Sequence, residues 1–266
     1  MRKSVLNVMG IVVCAGGLLM AQTPAPAPAA PAAKAAPKIK SEKERQAILA
    51  VANATDPDTK IAAADSLLTK FADTEFKVYA MSEQAHAARA KGDIEAMIVY
   101  AERVLEADPG NYDAMLMIAS GLAQRTREFD LDKEQKLTRA SDLANKAIEA
   151  LKTAEPPAFA QMTPQQWESA RKDYTADAHE VLGNVALVRK KYDVAITEFK
   201  MAGDLSSTPN PTTMARLVQA YNQSGKYAEA VETADKVLAT PNLNPQVKQF
   251  VTNQKDFASK MSAGKK

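Results

Sequence analysis

The stretch KYDVAITEFK, residues 191–200, has a counterpart in KYAEAVETAD, residues 226–235, which begins 35 positions later. Both stretches open with lysine and tyrosine and place an alanine three residues after the tyrosine. The same interval extends upstream, where Leu182 aligns with Leu217. A pair of helices with two apolar faces cannot bury both faces by itself. A fixed interval therefore indicates repeated units, each of which buries its apolar surface against the next.

Each copy of this pattern is predicted to contain two helices that meet at positions rich in small and aromatic residues. From Ser41 onward the apolar spacing is helical, and no sustained alternation predicts a strand. The residues that carry the pattern are Leu182, Gly183, Ala195, Phe199, Ala202, Leu217, Tyr221, Tyr227 and Ala230. The pattern resembles the tetratricopeptide repeat (TPR), a helix–turn–helix unit of about 34 residues. The resemblance implies an all-α helix–turn–helix solenoid of about 4–5 such units.

The resemblance covers roughly residues 41–243 and suggests how the chain is divided. The predicted segments are a signal peptide at 1–21, a Pro/Ala-rich disordered linker at 22–40, a degenerate N-terminal helical repeat at 41–76, a repeat unit at 77–110, a unit with an insertion at 111–152, a loop and helix extension at 153–175, repeat units at 176–210 and 211–243, and a capping helix with a tail at 244–266. The insertion, TREFDLDKE at 126–134, predicts a longer loop or an extra turn between two helices.

Several prolines follow a polar residue that can cap a helix. These pairs are Asp56-Pro57, Asp108-Pro109, Thr163-Pro164, Asn210-Pro211 and Asn244-Pro245. The side-chain oxygen of a capping residue accepts a free backbone N–H, and proline at the first helical position costs no hydrogen bond. The pairs therefore predict helix starts.

Trp167 is the only tryptophan and lies in TPQQWESARKDY, residues 163–174, at the predicted front of a long helix. One interpretation is that it covers core where a loop such as 153–162 crosses the stack. The alternative is a binding anchor, because tryptophan is enriched at interaction hot spots.

The first residues are typical of an exported protein. Arg2 and Lys3 precede an apolar run over 5–20, and small or turn-forming residues follow from Ala21. This order predicts a secretory signal peptide and a periplasmic or secreted protein. An uncleaved membrane anchor is the alternative, although the run is shorter than the roughly 20 residues that span a bilayer. Cys14, the only cysteine, would leave with the leader. The Pro/Ala-rich segment after it is predicted to act as a semi-rigid spacer.

Composition argues against several classes of function. Without Arg2 and Lys3, the 34 basic residues fall to 32, which balances 32 acidic residues. A neutral chain lacks the cationic surplus that nucleic acid requires. Only His86 and His179 are present, so no paired histidine motif for zinc occurs. No nucleophile elbow or phosphate-binding glycine loop is found, and we predict neither an enzyme nor a metal or cofactor site.

In the family that this chain resembles, ligands usually lie in a concave groove lined by the first helix of each pair. The repeat offset places in this groove Tyr79, His86, Arg89, Ser120, Gln124, Asn184, Gln219 and Asn222. These side chains make the groove polar and nearly uncharged, without the cluster of cations that clamps a carboxylate in some members. Amides can hydrogen-bond an extended backbone, but they can equally well only solvate the surface.

The resemblance and the leader together predict a non-enzymatic scaffold of the cell envelope. It would bind a protein segment in the groove and associate with an envelope complex. The alternative is a protein that binds a small molecule, a sugar or peptidoglycan, or a hydrolase, on the same helical scaffold. Self-association through an end of the stack is a third prediction.

Overall fold

The protein is described as a computed structural model, which covers residues 37–157, 162–208 and 210–264. The predicted signal peptide, Cys14 and most of the predicted linker lie outside these residues. The described residues form eleven α-helices and no strand, as follows: α1 (Glu42–Asn53), α2 (Pro57–Lys70), α3 (Lys77–Ala90), α4 (Ile94–Ala107), α5 (Tyr112–Arg125), α6 (Lys133–Leu151), α7 (Pro164–Val188), α8 (Tyr192–Leu205), α9 (Pro211–Gln223), α10 (Tyr227–Leu238) and α11 (Pro245–Ala263).

The helices pack in chain order as five antiparallel pairs, α1–α2 to α9–α10, and α11 closes the end of the row. Each helix contacts the next, and the first helix of each pair also contacts the first helix of the following pair. Every helix thus buries one face within its pair and another against a neighbouring pair. This arrangement confirms the predicted all-α solenoid.

Capping side chains explain where most helices begin. Asp56, Thr163, Asn210 and Asn244 each accept a hydrogen bond from a backbone N–H in the first turn of the helix that follows. The predicted start at Asp108-Pro109 is different, because α4 ends before Asp108 and the cap of α5 is Asn111. At this position proline follows the end of one helix instead of starting the next.

The residues of the predicted repeat pattern form the contacts between helices. Phe199, Ala195 and Ala230 are fully buried, and Leu217 is almost so. Gly183 lies against the Phe199 ring so closely that an added Cβ would stand 2.6 Å from Phe199 Cε1. A glycine is required there because any side chain would overlap the ring.

A second close approach was not predicted. On α5, a Cβ added to Gly121 would stand 2.8 Å from Ile98 Cδ1 on α4. Eight of the 14 residues of α5 are buried, including Leu116 and Met117. Helix α5 is therefore the most enclosed first helix of the row, because it is covered by α4 and by the long helix α7.

Trp167 anchors the front of α7 against the pair before it. The indole is 9% exposed, and its N–H donates to the carbonyl oxygen of Ala154 at 3.1 Å. The ring lies 6.3 Å from that of Tyr112, centroid to centroid. These contacts give Trp167 a packing role; part of the loop predicted to cross it, 158–161, lies outside the described residues.

Residues before Ser41, within the predicted linker, contact the segment that follows α2. The Lys38 N–H donates to Glu75 Oε2 at 2.8 Å, and Lys40 Nζ lies 2.7 Å from Asp73 Oδ2. Both partners follow α2. The last residues of the segment predicted as a disordered linker, 22–40, thus bind the first helix pair.

Candidate functional site

The exposed sides of α3, α5, α7 and α9 join into one surface, which we name the first-helix surface. Its members touch across helix boundaries. His86 Nε2 on α3 lies 2.9 Å from Asp113 Oδ2 on α5. The rings of Tyr112 on α5 and Tyr174 on α7 meet edge to face at 5.1 Å. Thr213 on α9 donates a hydrogen bond to Glu180 on α7. The surface therefore spans four successive helix pairs.

The structure places three predicted groove residues on α3, at one end of this surface. His86 is 42% exposed and faces Asp113. Arg89 is exposed one turn further along. Tyr79 is partly buried against the apolar cluster of α1 and α2, so it contributes to packing as well as to the surface.

The predicted residues on α5, α7 and α9 are partly buried or form hydrogen bonds within their own helix. On α5, Gln124 Nε2 donates to Ser120 Oγ at 2.8 Å, so these two side chains satisfy each other. Asn184 is partly buried on α7. Gln219 on α9 accepts a hydrogen bond from Arg216 at 3.2 Å.

Asn222 was predicted to line the groove, and this prediction is wrong. The residue is only 5% exposed. Its amide nitrogen donates to the backbone oxygen and to Oε1 of Gln254, at 2.9 and 2.8 Å. Gln254 belongs to α11, which covers this part of α9 as it caps the row. The repeat offset could not reveal this, because α11 is outside the repeat.

Five carboxylates lie on the first-helix surface: Glu83, Asp113, Asp173, Asp177 and Glu180. Several have partners within the described chain: Lys60 pairs with Glu83 at 2.6 Å and His86 with Asp113. Asp173 accepts two hydrogen bonds from Ser207. The charges of Asp173 and Glu180 both act on Asp177, and this local group of carboxylates on α7 attracts positive charge.

Asp177 is the carboxylate of this surface that has no hydrogen bond or ion pair within the described residues. Although one edge of the residue is exposed, partial burial of its carboxyl and the nearby charge of Glu180 raise its pKa from 3.8 to about 6. Arg89 opposes this shift, and Asp173 and Asp113 add to it. Burial is the main cause of the raised pKa, and the neighbouring carboxylates add to it.

A small cavity of about 30 Å³ lies beside Asp177, between α7, α8 and α9. Its lining includes the acidic residues Asp177 and Glu180, Thr213, and the apolar residues Ala202 and Met214. A lining that mixes carboxylates with apolar side chains suits the charged end of a side chain and the methylene group next to it.

His86 adds a second titratable group at the α3 end. Partial burial of the imidazole opposes its charged form, but the hydrogen bond and the charge of Asp113, together with Glu83, outweigh this effect and raise the pKa of His86. Both His86 and Asp177 thus gain protons as the pH falls toward 6, and the surface becomes less negative.

The raised pKa of Asp177 gives a prediction about stability. Because its pKa is higher in the folded chain than in the unfolded chain, the unfolded chain releases the proton first, and stability falls as the pH rises from about 3.8 to about 6. Asp177→Asn should therefore melt at a higher temperature than the parent at pH 7.5 and at the same temperature near pH 3.5. Asp142→Asn, on the exposed side of α6, is the control. An equal difference at both pH values would contradict this cause.

Asp113 and Asp177 were not predicted as site residues, although the sequence contained the signal. Asp113 lies seven residues before Ser120, and Asp177 lies seven before Asn184. This spacing places each pair on one side of a helix. Extending the predicted rows by two turns toward the N-terminus would have found both carboxylates.

The described residues contain no group of three or more His, Cys, Asp or Glu side chains that could hold a metal ion. No helix among them has the length and apolar character needed to cross a bilayer.

Comparison with known family models gives a match to one part of the chain. A family model described as "Tetratricopeptide repeat" matches residues 79–111, which comprise most of α3, all of α4 and the turn between them. No curated protein sequence matches the chain.

Solved structures share the architecture at low sequence identity. A thermophilic TPR protein of Thermus thermophilus superposes with a TM-score of 0.53 at 15% identity, over 79% of this chain and 95% of that one. An assembly chaperone of RpL4 gives 0.48 at 13% identity, over 84% and 96%. MamA protein gives 0.40 at 19%, over 71% and 89%.

A row of antiparallel helix pairs with a continuous first-helix surface defines a helical repeat protein. The match over 79–111 shows a tetratricopeptide repeat in that part of the chain, and the row of helix pairs has the fold of the TPR protein from Thermus thermophilus. Proteins of this class are in general scaffolds for protein–protein contacts, because stacked repeats present an extended surface.

Proposed function

We propose that this protein is an exported scaffold that binds an extended, positively charged protein segment along its first-helix surface. The observation that supports this most directly is the local group of carboxylates on α7, Asp173, Asp177 and Glu180. Its length across α3, α5, α7 and α9 suits a segment of many residues rather than a small ligand.

The chemistry of the surface favours lysine in the bound segment. The cavity beside Asp177 is lined by two acidic residues and by Ala202 and Met214, and its volume of about 30 Å³ suits the ammonium end of a lysine rather than the whole side chain. A charge-assisted hydrogen bond to an ionised carboxylate is about twice as strong as a neutral one. The rings of Tyr112 and Tyr174 lie on the same surface, and aromatic faces attract cations.

Matched peptides test this proposal. Three fluorescent peptides of equal length, built on alanine and serine, would carry two lysines, two glutamines or two glutamates. We expect only the lysine peptide to bind in anisotropy titrations, with an affinity that falls as salt screens the carboxylates. Binding should also weaken at pH 5, where protonation of His86 and Asp177 makes the surface less negative.

The site is tested by Asp177→Asn/Glu180→Gln. Loss of these two charges should weaken the lysine peptide about tenfold or more, since one close charge pair can contribute about 1.5 kcal/mol or more to an interface. The control, Asp142→Asn/Glu149→Gln, removes the same charge from α6, the second helix of a pair, and should bind like the parent. Equal binding of all three peptides, or equal loss in both variants, would reject the proposal.

Export rests on the leader alone and has its own test. We propose that the chain is cleaved after Ala21 and acts in the cell envelope. Mass spectrometry of the protein isolated from its own cells should find an N-terminus at Gln22. A chain that starts at Met1 in the cytoplasmic fraction would reject export without affecting the binding surface.

A further inference from the structure

The loop 126–132 between α5 and α6 departs from the other turns within helix pairs. The turns at 91–93, 189–191 and 224–226 have three residues each, whereas this loop has seven. It lies outside the first-helix surface. An insertion in one unit of a repeat protein is not required for the stacking of helices, and such insertions often lie on a binding face.

Two large apolar side chains of this loop point into solvent. Phe129 is 89% exposed and Leu131 is 107% exposed, which exceeds every other large apolar residue in the described chain. Single exposed apolar residues are common on protein surfaces. Two that stand two residues apart on one loop form a compact apolar tip, which we name the FxL tip.

The acidic residues that alternate with the tip are turned back toward the helices. Glu128 pairs with Lys190 at 2.5 Å. Asp132 pairs with Lys136 at 2.9 Å, and Asp130 lies 3.6 Å from the same ammonium group. The usual preference is therefore inverted in this loop: charged side chains face the protein and apolar ones face water.

The backbone of the loop is held in this arrangement. The Arg127 N–H donates to Asp130 Oδ2 at 3.0 Å, and the Asp130 N–H donates back to the Arg127 carbonyl at 3.3 Å. The Lys133 N–H then donates to the Asp130 carbonyl at 3.1 Å. A partner that takes up the tip does not have to order a free loop, which lowers the entropic cost of binding.

The charges beside the tip indicate the kind of partner. Arg127 and Lys133 flank it and form no ion pair within the described residues, whereas Glu128, Asp130 and Asp132 do. The cations that remain available are thus the two that border the apolar residues. We propose that the FxL tip inserts Phe129 and Leu131 into an apolar cleft with an acidic border on a partner protein.

A protein cleft fits the tip better than a lipid bilayer does. Phe129 and Leu131 together have fewer side-chain carbons than one myristoyl chain, and a single myristoyl chain gives only marginal membrane binding. In a protein cleft, two desolvated anchors with a charged rim suffice for a binding hot spot. This contact is independent of peptide binding by the first-helix surface.

A photo-crosslinking experiment tests the proposal. The full chain, with benzoylphenylalanine in place of Leu131, is expressed in the cells that produce it and irradiated, and the adduct is sequenced by mass spectrometry. The same probe at Asn145, an exposed position of α6, is the control. We expect an adduct from position 131 alone, on apolar residues of another protein that lie beside aspartate or glutamate.

Binding to that purified protein then decides the roles of the residues. Phe129→Ser/Leu131→Ser should weaken binding about 100-fold or more, because two large apolar side chains lose their burial. Arg127→Glu/Lys133→Glu should also weaken it, and Val99→Ser, which alters an apolar residue that is 58% exposed on α4, should not. Thermal melting of the serine variant should equal that of the parent, since neither side chain packs in the fold.

Four outcomes would overturn the proposal. They are adducts only with a second copy of this chain, adducts only with lipid, no adduct above the control at Asn145, or a purified partner that binds the serine variant as tightly as the parent. The lysine-peptide titration remains unaffected in each case, so failure of this contact is distinguishable from failure of the first-helix surface.

Discussion

Replacing Gly183 by leucine is expected to lower the free energy of unfolding by about 3 kcal/mol, the upper part of the range for overpacked cores. Even a Cβ at this position would stand 2.6 Å from Phe199 Cε1 and 2.7 Å from Phe199 Cδ1. Phe199 is fully buried, so its ring cannot move aside into solvent. For a chain of this size the thermal midpoint should fall by roughly 6–12 °C.

Gly203 provides a matched control for the smaller change to alanine. Both glycines lie in helices, where alanine is favoured by about 1 kcal/mol. A Cβ at Gly203 would meet Met214 Sδ at 3.6 Å, an ordinary contact. Gly203→Ala should thus be neutral or stabilising and Gly183→Ala destabilising. If both variants melt like the parent, the Gly183–Phe199 contact is not as close as described.

A double-mutant cycle would assign the effect to this contact. Phe199→Ala should itself cost about 3–5 kcal/mol, because it leaves a cavity. In Gly183→Leu/Phe199→Ala, the leucine fills part of the vacated space. The combined loss should therefore be smaller than the sum of the two single losses by at least about 1 kcal/mol. Strict additivity would mean that the two residues do not interact.

Removal of α11, by ending the chain after Leu243, is expected to unfold the α9–α10 pair. Val251 and Ala258 of α11 are fully buried against a cluster that includes Val218 and Ala234. Without α11, this cluster would face water on one side, and the buried amide of Asn222 would lose Gln254 as its acceptor. Hydrogen-exchange protection of α9 and α10 should fall roughly 100-fold or more, which corresponds to about 3 kcal/mol.

The effect should stay local, because a repeat protein is stabilised mainly by contacts between neighbours. Protection of α3 and α4 should match that of the full chain. A chain that ends after Gly264 keeps all of α11 and is the control. Unchanged protection of α9 and α10 in the shorter chain would show that α11 does not cap the row.

The sequence was sufficient to predict the kind of fold because each signal was local or periodic. The interval between Leu182 and Leu217 indicated the repeat, and capping residues such as Thr163 and Asn210 marked helix starts. Gly183 was predicted as a contact because helices approach closely at this position in the repeat that the chain resembles. These features follow from neighbouring residues and from the similarity of successive units, both of which are visible in the chain before it folds.

The candidate site was predicted only in part. His86 and Arg89 lie on the first-helix surface as the repeat offset suggested, but the group of carboxylates around Asp177 was missed. Asp113 and Asp177 come from different helices, and their charges add only after α3, α5 and α7 pack side by side. The pKa of Asp177, raised to about 6, depends on residues distant in sequence, such as Arg89.

By itself, the sequence determined an all-helical array of paired helices and the close contact at Gly183, because helix period and repeat interval are properties of the chain. Only the tertiary structure decided that Asn222 is covered by α11, that carboxylates of several helices share one surface, and that Phe129 and Leu131 face water. Burial and electrostatic interaction depend on which distant residues become neighbours, and packing sets those distances.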